Sequence, residues 1–319
     1  MKKFLALIGS VVLAAVMAVS MAACSQGMQR VKVLDVQLTG EQYGYCVSKD
    51  NAEIMEEVNS LIGLLCGSEA FNPEDSQSGA DAEGVAYDLN GDGTAENVTF
   101  KILYEAVQND EAGDIGEVAT SVPAGADRND YLVVATNAEF PPFESMVGDR
   151  FAGIDMHIAK MLAQRLGREL VIKNMEFDVV ITDVENGASD IGMAGLTINR
   201  GREEVVTFSK GYYMTTQRIA ILESDTVFDG CETEEEIVAK INSELKGEAA
   251  GGAIGQTGFF YIIGSTDFEF AGFPDINARS YDTVALAVRD LANGKVRFVV
   301  ADRDTLNDAV EEMNTLVQE

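Results

Sequence analysis

Positive charge is scarce in this sequence. Its 319 residues include 53 Asp and Glu but only 23 Lys and Arg and one His, which gives a formal net charge of −30. Binding of nucleic acid requires a basic surface that neutralises phosphates, so this composition excludes that class of function. Any Arg or Lys that lies in a cleft is correspondingly informative.

Long apolar runs are also few, and the one that stands out lies at the N-terminus. It extends from Phe4 to about Val19, follows two lysines and is succeeded by Met21-Ala22-Ala23-Cys24. This order is typical of a signal peptide, although a retained membrane-spanning anchor has the same start. The Cys directly after two small residues favours a lipoprotein signal over residues 1–24, with a lipid on Cys24 and a tether at 25–30. Acyl chains on Cys24 would hold the mature protein at the extracellular face of the cell membrane.

Three further cysteines, Cys46, Cys66 and Cys231, allow at most one internal disulfide. Their spacing matches no metal-ligand pattern. We interpret them as small buried side chains, because a free cysteine behaves as a small hydrophobic residue.

Residues 67–128 differ in composition from the rest of the chain. This acidic segment holds fourteen Asp or Glu against Lys101 and Arg128, and it is rich in Gly, Ser and Ala. Such a composition offers little apolar surface to bury, so we expect much of the segment to be exposed or loosely ordered. Within it, "VAYDLNGDGTAENVTFKILY" places alternating runs on both sides of a polar turn, which predicts a β-hairpin.

The turn of this hairpin has the spacing of a cation-binding loop. Gly93 stands at position 6, and side chains with oxygen atoms stand at positions 1, 3, 5 and 9: Asp88, Asn90, Asp92 and Glu96. Oxygen ligands on alternate residues suit Ca²⁺. Position 12 is Thr99 instead of Glu, which excludes an ordinary EF-hand. A plain Asn-Gly or Asp-Gly turn explains the same residues, and both interpretations stay open.

From residue 130 onward, strand and helix patterns alternate. The run "YLVVAT" predicts a buried strand, and "GIDMHIAKMLAQRLG" predicts a helix that ends at Gly167. A second series begins near residue 233, where the helix "TEEEIVAKINSELKG" leads to the strand "GGAIG" and the helix "SYDTVALAVRDLANG" leads to the strand "VRFVVAD". Two such series predict an α/β protein of two lobes with a cleft between them.

Four short stretches carry a resemblance to a known family over residues 129–319. They are "ATNAEFPPFE", "AGLTINRGR", "IGQTG" and "VVAD", in this order and separated by helices of suitable length. With them, the chain resembles the extracellular amino-acid-binding proteins of ABC importers, of the polar amino-acid type. This resemblance implies a two-lobed periplasmic-binding-protein-like fold of type II.

The resemblance also implies which residues bind the ligand. Arg202 and Thr197 match the residues with which the first lobe of the family holds an α-carboxylate, and Asp302 matches the second-lobe carboxylate that binds the α-ammonium. A guanidinium binds a carboxylate through two parallel hydrogen bonds. Without the resemblance, Arg202 would be interpreted as a solvated helix-start residue and Asp302 as part of a charged turn. The complete implied set is Asn137, Phe140, Ala194, Gly195, Thr197, Arg202, Gln256, Thr257 and Asp302.

Departures from the family pattern leave the side-chain specificity open. Asn137 stands where members that bind basic side chains often carry Asp, which disfavours a cationic ligand without excluding it, since Glu139 is close by. Gln256 replaces a common Thr, and "FSKGYY" replaces a common acidic version. Phe140 aligns with the aromatic residue that stacks on the ligand, whereas we interpret Phe143 as part of the core.

The order of the elements departs from the family as well. After "VVAD" the family continues through a helix into a strand, a crossing strand and a further helix, and residues 31–65 match that continuation although they precede the rest. The resemblance therefore implies a circularly permuted chain in which the acidic inserted segment, 67–128, links the former ends.

The permuted order implies a division of the chain into lobes. Residues 31–44 with 223–319 would form lobe 2, and residues 45–66 with 129–222 would form lobe 1. We expect the strand from Val31 to lie inside the lobe 2 sheet, beside strands built from residues beyond 250. The two hinge crossings are predicted at 43–48 and 218–224.

The function that the resemblance implies is capture of a free amino acid between the lobes and its delivery to the permease and ATPase subunits of an ABC importer. A ligand-sensing lipoprotein for a membrane receptor or kinase has the same fold, and so do dehydratase-like enzymes. No nucleophile–base pair is visible, and the sole histidine, His157, is predicted to be solvated, which argues against an enzyme. We expect a monomer that touches the bilayer only through Cys24 and requires no cofactor, with Ca²⁺ as the open question.

Overall fold

Two β-sheets organise the chain, one in each lobe. The computed structural model describes residues 27–317, so the predicted signal peptide and Cys24 lie outside the described residues. The strands are β1 Val31–Val33, β2 Gly40–Tyr43, β3 Cys46–Ser48, β4 Val85–Tyr87, β5 Glu96–Val98, β6 Tyr131–Thr136, β7 Ser145–Val147, β8 Arg150–Ala152, β9 Glu169–Asn174, β10 Ile191–Gly192, β11 Val206–Phe208, β12 Tyr213–Leu222, β13 Ala249–Ala253, β14 Asn277–Tyr281 and β15 Phe298–Asp302.

Helices cover both sheets. They are α1 Ala52–Cys66, α2 Phe100–Gln108, α3 Ile154–Leu166, α4 Phe177–Glu185, α5 Arg200–Glu203, α6 Glu234–Glu244, α7 Thr257–Ile263, α8 Val284–Ala292 and α9 Arg303–Val317. None of the helices between residues 27 and 317 has the length and apolar character that crossing a bilayer requires.

Lobe 1 is built on a five-stranded sheet with the order β11-β3-β10-β6-β9. Strands β10, β6 and β9 run parallel, and every residue of β6 is buried, which fits the continuous apolar run "YLVVAT". Helix α3 ends at Gly167, whose φ of 64° lies in the left-handed region that glycine adopts without strain. Helices α1 and α3 pack against each other beside this sheet.

Lobe 2 is built on a six-stranded sheet with the order β1-β12-β15-β13-β14, to which β2 is added through its pairing with β12. Strands β13, β14 and β15 run parallel, so the carboxyl end of β15 with Asp302 lies at the sheet edge where ligands bind in open α/β folds. Two apolar clusters cover the faces of this sheet, one around Leu291 and Leu306 and one around Ile237 and Phe298.

The chain crosses between the lobes at Gly44–Tyr45 and at 209–212. The first crossing joins β2 in lobe 2 to β3 in lobe 1 and falls within the predicted 43–48. The second joins β11 to β12. The predicted crossing at 218–224 is wrong, because Arg218 already pairs with Ala301 inside the lobe 2 sheet. The boundary between lobes accordingly lies near residue 212 instead of 222.

Strand β1 lies in the lobe 2 sheet, at its edge. Val31 pairs with Leu222 of β12. The expected neighbours from beyond residue 250 are wrong, because β12 lies between β1 and β15. The backbone N–H of Val31 donates to Asn314 Oδ1 at 3.0 Å, and Asn314 Nδ2 donates to the Val31 carbonyl at 2.8 Å. The first strand therefore rests against the last described helix, α9.

The acidic segment, 67–128, is more ordered and more buried than expected. Its apolar side chains join the lobe 1 core: Phe71, Tyr87, Leu89, Val98, Phe100, Leu103, Ala106, Ala112 and Ile115.

The predicted hairpin is present as β4 paired with β5, but the second alternating run ends at Val98. There the Thr99 side chain accepts a hydrogen bond from Ile102 N, so Thr99 caps helix α2 and "FKILY" is helical instead of extended.

The three cysteines outside the signal region are free. Cys46 and Cys66 are buried and Cys231 is half-buried. Burial raises the pKa of the Cys46 and Cys66 thiols to about 12, so both are protonated at neutral pH and unreactive.

Candidate functional site

A small pocket lies where the two lobes meet. Five of its lining residues belong to lobe 1 and three to lobe 2: Phe140, Phe177, Gly195, Thr197, Arg202, Gln256, Thr257 and Asp302. The lobes are closed here, since the hydroxyls of Thr197 and Thr257 are 3.1 Å apart. The cavity left between the closed lobes is only about 10 Å³, so an amino acid can enter only when the lobes move apart.

Arg202 presents the cationic group of this pocket. It lies on α5, whose start is capped by Asn199, the side chain of which accepts from Arg202 N at 2.9 Å. The guanidinium donates to the carbonyls of Thr197 at 2.9 Å and Gly255 at 3.3 Å, and it lies 5.4 Å from the centre of the Phe177 ring. Burial lowers the pKa of this guanidinium. Within residues 27–317 no carboxylate forms an ion pair with Arg202, so its charge is unmatched.

Asp302 presents an anionic group from the other lobe. Its side chain is buried at the end of β15, where the Tyr43 hydroxyl donates to it at 2.5 Å. Burial raises the pKa of the Asp302 carboxyl. Among the described side chains, no Lys or Arg forms a salt bridge with Asp302. The pocket thus has unpaired groups of opposite charge on its two walls.

The loop at Gly195 sets the shape of the lobe 1 wall. Gly195 has φ of 54°, and a Cβ at this position would lie 2.6 Å from Cε1 of Phe140. Its backbone N–H donates to Asp155 Oδ2 at 3.1 Å, and the Asp155 carboxylate also accepts from the hydroxyls of Tyr45 and Tyr212. Glycine is therefore needed for the aromatic ring to approach the backbone at this point.

A second carboxylate, Glu41, lies beside the pocket at the base of the cleft. It precedes the first crossing and is 9% exposed. Thr197 Oγ1 donates to Glu41 Oε2 at 2.7 Å, and Gln217 Nε2 donates to Oε1 at 2.5 Å. Burial, and then the charge of Asp302, raises the pKa of Glu41 to about 8. Glu41 is therefore an acidic group in a position that the sequence analysis did not assign to the site.

Seven of the nine predicted ligand-binding residues line the pocket. The other two are not part of its lining: Asn137 Nδ2 donates to the Met175 carbonyl at 2.9 Å, and Ala194 is buried in an apolar cluster of lobe 1. The residues that the sequence analysis missed are Phe177, Tyr43 and Glu41. Phe177 is the first residue of the helix after strand β9, and Glu41 and Tyr43 directly precede a crossing between the lobes. These positions in the chain order were the signal in the sequence that could have indicated a place near the cleft.

The hairpin residues predicted for Ca²⁺ partly hold their own turn. Asp88 Oδ2 accepts from Gly93 N at 2.9 Å, Asn90 Oδ1 from Asp92 N at 3.1 Å, and Asp92 Oδ1 from Thr94 N at 2.8 Å. In the part of the chain that the structure describes, no group of three or more His, Cys, Asp and Glu is arranged to hold a metal ion.

Comparison with known proteins assigns the chain to a family. The family described as bacterial extracellular solute-binding proteins, family 3, matches residues 132–314, which is more than half of the chain. The chain belongs to this family. The match contains all nine predicted ligand-binding residues, whereas Glu41 and Tyr43 lie outside it.

Individual relatives of this solute-binding protein are moderately similar to it. The arginine-binding extracellular protein ArtP of Bacillus subtilis is 34% identical over 88 residues, which cover 28% of this chain and 34% of the relative. The ABC transporter arginine-binding protein 1 of Escherichia coli is 26% identical over 61% of this chain and 72% of the relative. The structure of holo ArgBP from T. maritima is 30% identical, with a TM-score of 0.48, over 57% of this chain and 74% of that one. The chain thus spans only about a third of the length of the first relative.

Proposed function

We propose that this solute-binding protein captures a free amino acid between its lobes and delivers it to the permease and ATPase subunits of an ABC importer. The observation that carries the proposal is the pair of unmatched charges in one pocket, Arg202 on lobe 1 and Asp302 on lobe 2. Lipid on Cys24 would keep the protein at the extracellular face of the membrane while the lobes bind the ligand.

An α-amino acid complements this pair of charges. Its carboxylate suits the guanidinium of Arg202, which donates only to backbone carbonyls among the described residues, and its ammonium suits the carboxylate of Asp302. Because the charges lie on opposite lobes, such a ligand stabilises the closed arrangement over an open one. The relatives from Bacillus subtilis and Escherichia coli are both named as arginine-binding proteins, and that of Escherichia coli is also named as part of an ABC transporter, which supports the same ligand class.

Binding without catalysis is part of the proposal. The sole histidine, His157, does not line the pocket. Its side chain is hydrogen-bonded to the Tyr87 hydroxyl and lies near the Gly113 carbonyl, both in the acidic segment. The hydroxyls of Thr197 and Thr257 have no imidazole beside them among the pocket residues. The pocket therefore has hydrogen-bonding groups that hold a zwitterion but lacks an activated nucleophile.

Two substitutions test this assignment by calorimetry with the amino acid that most raises the thermal midpoint of the wild-type protein. Asp302→Asn and Arg202→Ala each leave one ligand charge desolvated and unpaired, which should weaken binding by about 3–5 kcal/mol. Asp178→Asn and Arg200→Ala remove the same charges from exposed positions near the cleft and should bind as the wild type does. Wild-type affinity in either pocket variant would remove that residue from the site.

A further inference from the structure

The base of the cleft holds two buried carboxyl groups, whereas the ammonium of a neutral amino acid can pair with only one of them. Glu41 and Asp302 are both buried there, and their electrostatic interaction contributes to the raised pKa of Glu41. Arg202 is the nearby cation, and it also interacts with both carboxylates. If the ligand carboxylate pairs with Arg202 and the ligand ammonium pairs with Asp302, Glu41 is left without a cationic partner among the described residues.

Hydrogen-bond acceptors are also in excess around Glu41. Two buried amide oxygens, Gln256 Oε1 and Gln217 Oε1, accept no hydrogen bond within the described part of the chain. Gln256 lines the pocket and is 7% exposed, and Gln217 donates its amide to Glu41. Because buried polar groups are normally hydrogen-bonded, unpartnered acceptors beside a ligand pocket indicate a ligand with additional donors.

The contacts of Glu41 place it where a closing cleft would hold such a ligand. Its carboxylate accepts from Thr197 of lobe 1 and from Gln217 of lobe 2, so it contacts both lobes at the hinge. Thr197 lines the pocket, and its hydroxyl is one hydrogen bond away from Glu41. A cationic side chain of a ligand that entered between the lobes would reach Glu41 by breaking the hydrogen bond between Thr197 and Glu41.

We propose, resting on the proposed function, that the amino acid is cationic and that Glu41 binds its side-chain guanidinium or ammonium group. The carboxylate that selects a basic side chain then comes from hinge strand β2. The Asn137 side chain, which the resemblance weighed against a basic ligand, donates to the Met175 carbonyl. Asn137 therefore does not exclude a cationic ligand.

This assignment predicts that binding of a cationic amino acid releases protons. Burial keeps much of Glu41 protonated at neutral pH, since its pKa is raised to about 8. A cation placed against Glu41 stabilises the ionised form and lowers that pKa again. The other charged and titratable groups that face Glu41 are Arg202, Asp302 and Tyr43, which the substitution Glu41→Gln leaves in place.

The test is calorimetry at pH 7 with L-arginine and with L-citrulline, its neutral counterpart of nearly the same shape. We expect the wild type to prefer arginine by at least about tenfold, which corresponds to about 1.4 kcal/mol. In Glu41→Gln the preference should disappear, whereas Glu41→Asp should retain part of it. Glu139→Gln, which removes a charge from an exposed residue of the Asn137–Phe140 loop, should keep the full preference.

Proton release is the second measurement and needs no variant. Titrations in buffers of different ionisation enthalpy should show more proton release with arginine than with citrulline, because the pairing of the α-ammonium with Asp302 is common to both ligands. If citrulline or glutamine binds as tightly as arginine, this inference is wrong and the proposed function stands. If none of the twenty amino acids binds, the proposed function itself fails. An unchanged arginine preference in a folded Glu41→Gln protein would assign Glu41 a purely structural role.

Discussion

At the scale of single residues, His157 shows how strongly burial controls charge. It is 1% exposed, so the sequence-based expectation of a solvated side chain is wrong. The helix face that was predicted to meet solvent is covered by the acidic segment. The Gly113 carbonyl can only accept, so His157 Nε2 carries the proton toward it, and the Tyr87 hydroxyl donates to Nδ1 at 3.0 Å. Burial lowers the pKa of His157 to about 4.

A pH dependence of stability follows from this shift. The unfolded chain takes up a proton near pH 6.5, whereas the folded one does so only near pH 4. The stabilisation by neutral His157 is therefore complete above pH 6.5 and is lost as the pH falls toward 4, amounting to about 3 kcal/mol at most. Because the chain has one His, a single imidazole NMR signal reports its titration directly.

Two results would bear out this account of His157. The imidazole signal should titrate near pH 4, and His157→Gln should remove part of the stability loss between pH 6.5 and 4. Asp155, with its pKa raised to about 6 by burial, changes stability in the opposite sense over the same range, so only the difference between variant and wild type isolates His157. A titration midpoint near 6.5 would mean that the imidazole is solvated.

The residues of the site were predictable to the extent that they lie in contiguous motifs. Thr197 and Arg202 share one short stretch, and Gln256 and Thr257 share another, so the resemblance of these stretches to the family was enough to indicate them. Glu41 becomes part of the cleft only through long-range pairing of β2 with β12, and no local pattern encodes that pairing. The sequence therefore indicated the two charged residues of the pocket, Arg202 and Asp302, but not Glu41 beside it.

At the scale of elements, helix α2 explains why the acidic segment is ordered. Phe100, Leu103 and Ala106 lie on one face of α2 and are buried, while its acidic and polar residues face outward. The composition of the whole segment hid this local periodicity, because fourteen acidic residues lower its average hydrophobicity. The composition correctly predicted that many side chains of the acidic segment are exposed. It could not show that the few apolar side chains of the segment pack in the lobe 1 core.

A pair of substitutions on α2 measures this contribution. Leu103 is fully buried, so Leu103→Ala should lower the free energy of unfolding by about 2–5 kcal/mol through lost burial and a residual cavity. Ile102, one residue earlier, is 40% exposed, and Ile102→Ala should change the same free energy by less than about 1 kcal/mol. Urea denaturation of both variants checks this. Equal and small effects would show that α2 does not pack on lobe 1.

The hairpin before α2 illustrates a different limit. The turn spacing was correctly associated with a β-hairpin, and its side chains cap backbone N–H groups within the loop. The same acceptors would have to turn toward a cation to bind it, and Thr99, at the position of the strongest EF-hand ligand, caps α2. Binding of Ca²⁺ by Asp88, Asn90, Asp92 and Glu96 stays a prediction.

At the scale of the whole molecule, the acidic segment contacts both lobes. Phe71 N donates to the Tyr212 carbonyl at 2.9 Å, next to the second crossing. Glu74 lies within 3.0 Å of Arg218 and 3.2 Å of Arg303, both of lobe 2, while α2 packs on lobe 1. A linking segment with these contacts is part of the folded molecule, so it cannot be treated as a removable connection.

The contacts of residues 27–66 support the proposed permutation. Strands β1 and β2 pair with β12 of lobe 2, β3 pairs with β10 and β11 of lobe 1, and α1 packs on α3. These residues therefore complete both lobes instead of forming a domain of their own. Val31 and Asn314 exchange two hydrogen bonds, which means that a short linker can join these two parts of the chain.

A rearranged chain tests the permutation. It runs from Ala126 to Glu319, continues through a short Gly-Ser linker to Met28, and ends at Gly125. The cut falls between two exposed residues and breaks only the turn in which Ala126 N donates to the Pro123 carbonyl. All lobe contacts are retained, and the changed loop closures alter stability by only about 1 kcal/mol. We expect the rearranged protein to fold and to bind the same amino acid with an affinity close to that of the original order.

A shorter rearranged chain that ends at Cys66 provides the matched control. It lacks the acidic segment and with it the buried side chains of Phe71, Phe100 and Leu103. Removing these side chains leaves the lobe 1 core uncovered, so this chain should be unstable or aggregate although it holds all nine predicted ligand-binding residues. Circular dichroism and calorimetry on both chains separate the two ideas. If the full rearranged chain is folded but cannot bind, chain order matters beyond loop closure and the permutation proposal fails. If the short chain is as stable as the long one, the segment does not contribute to the core.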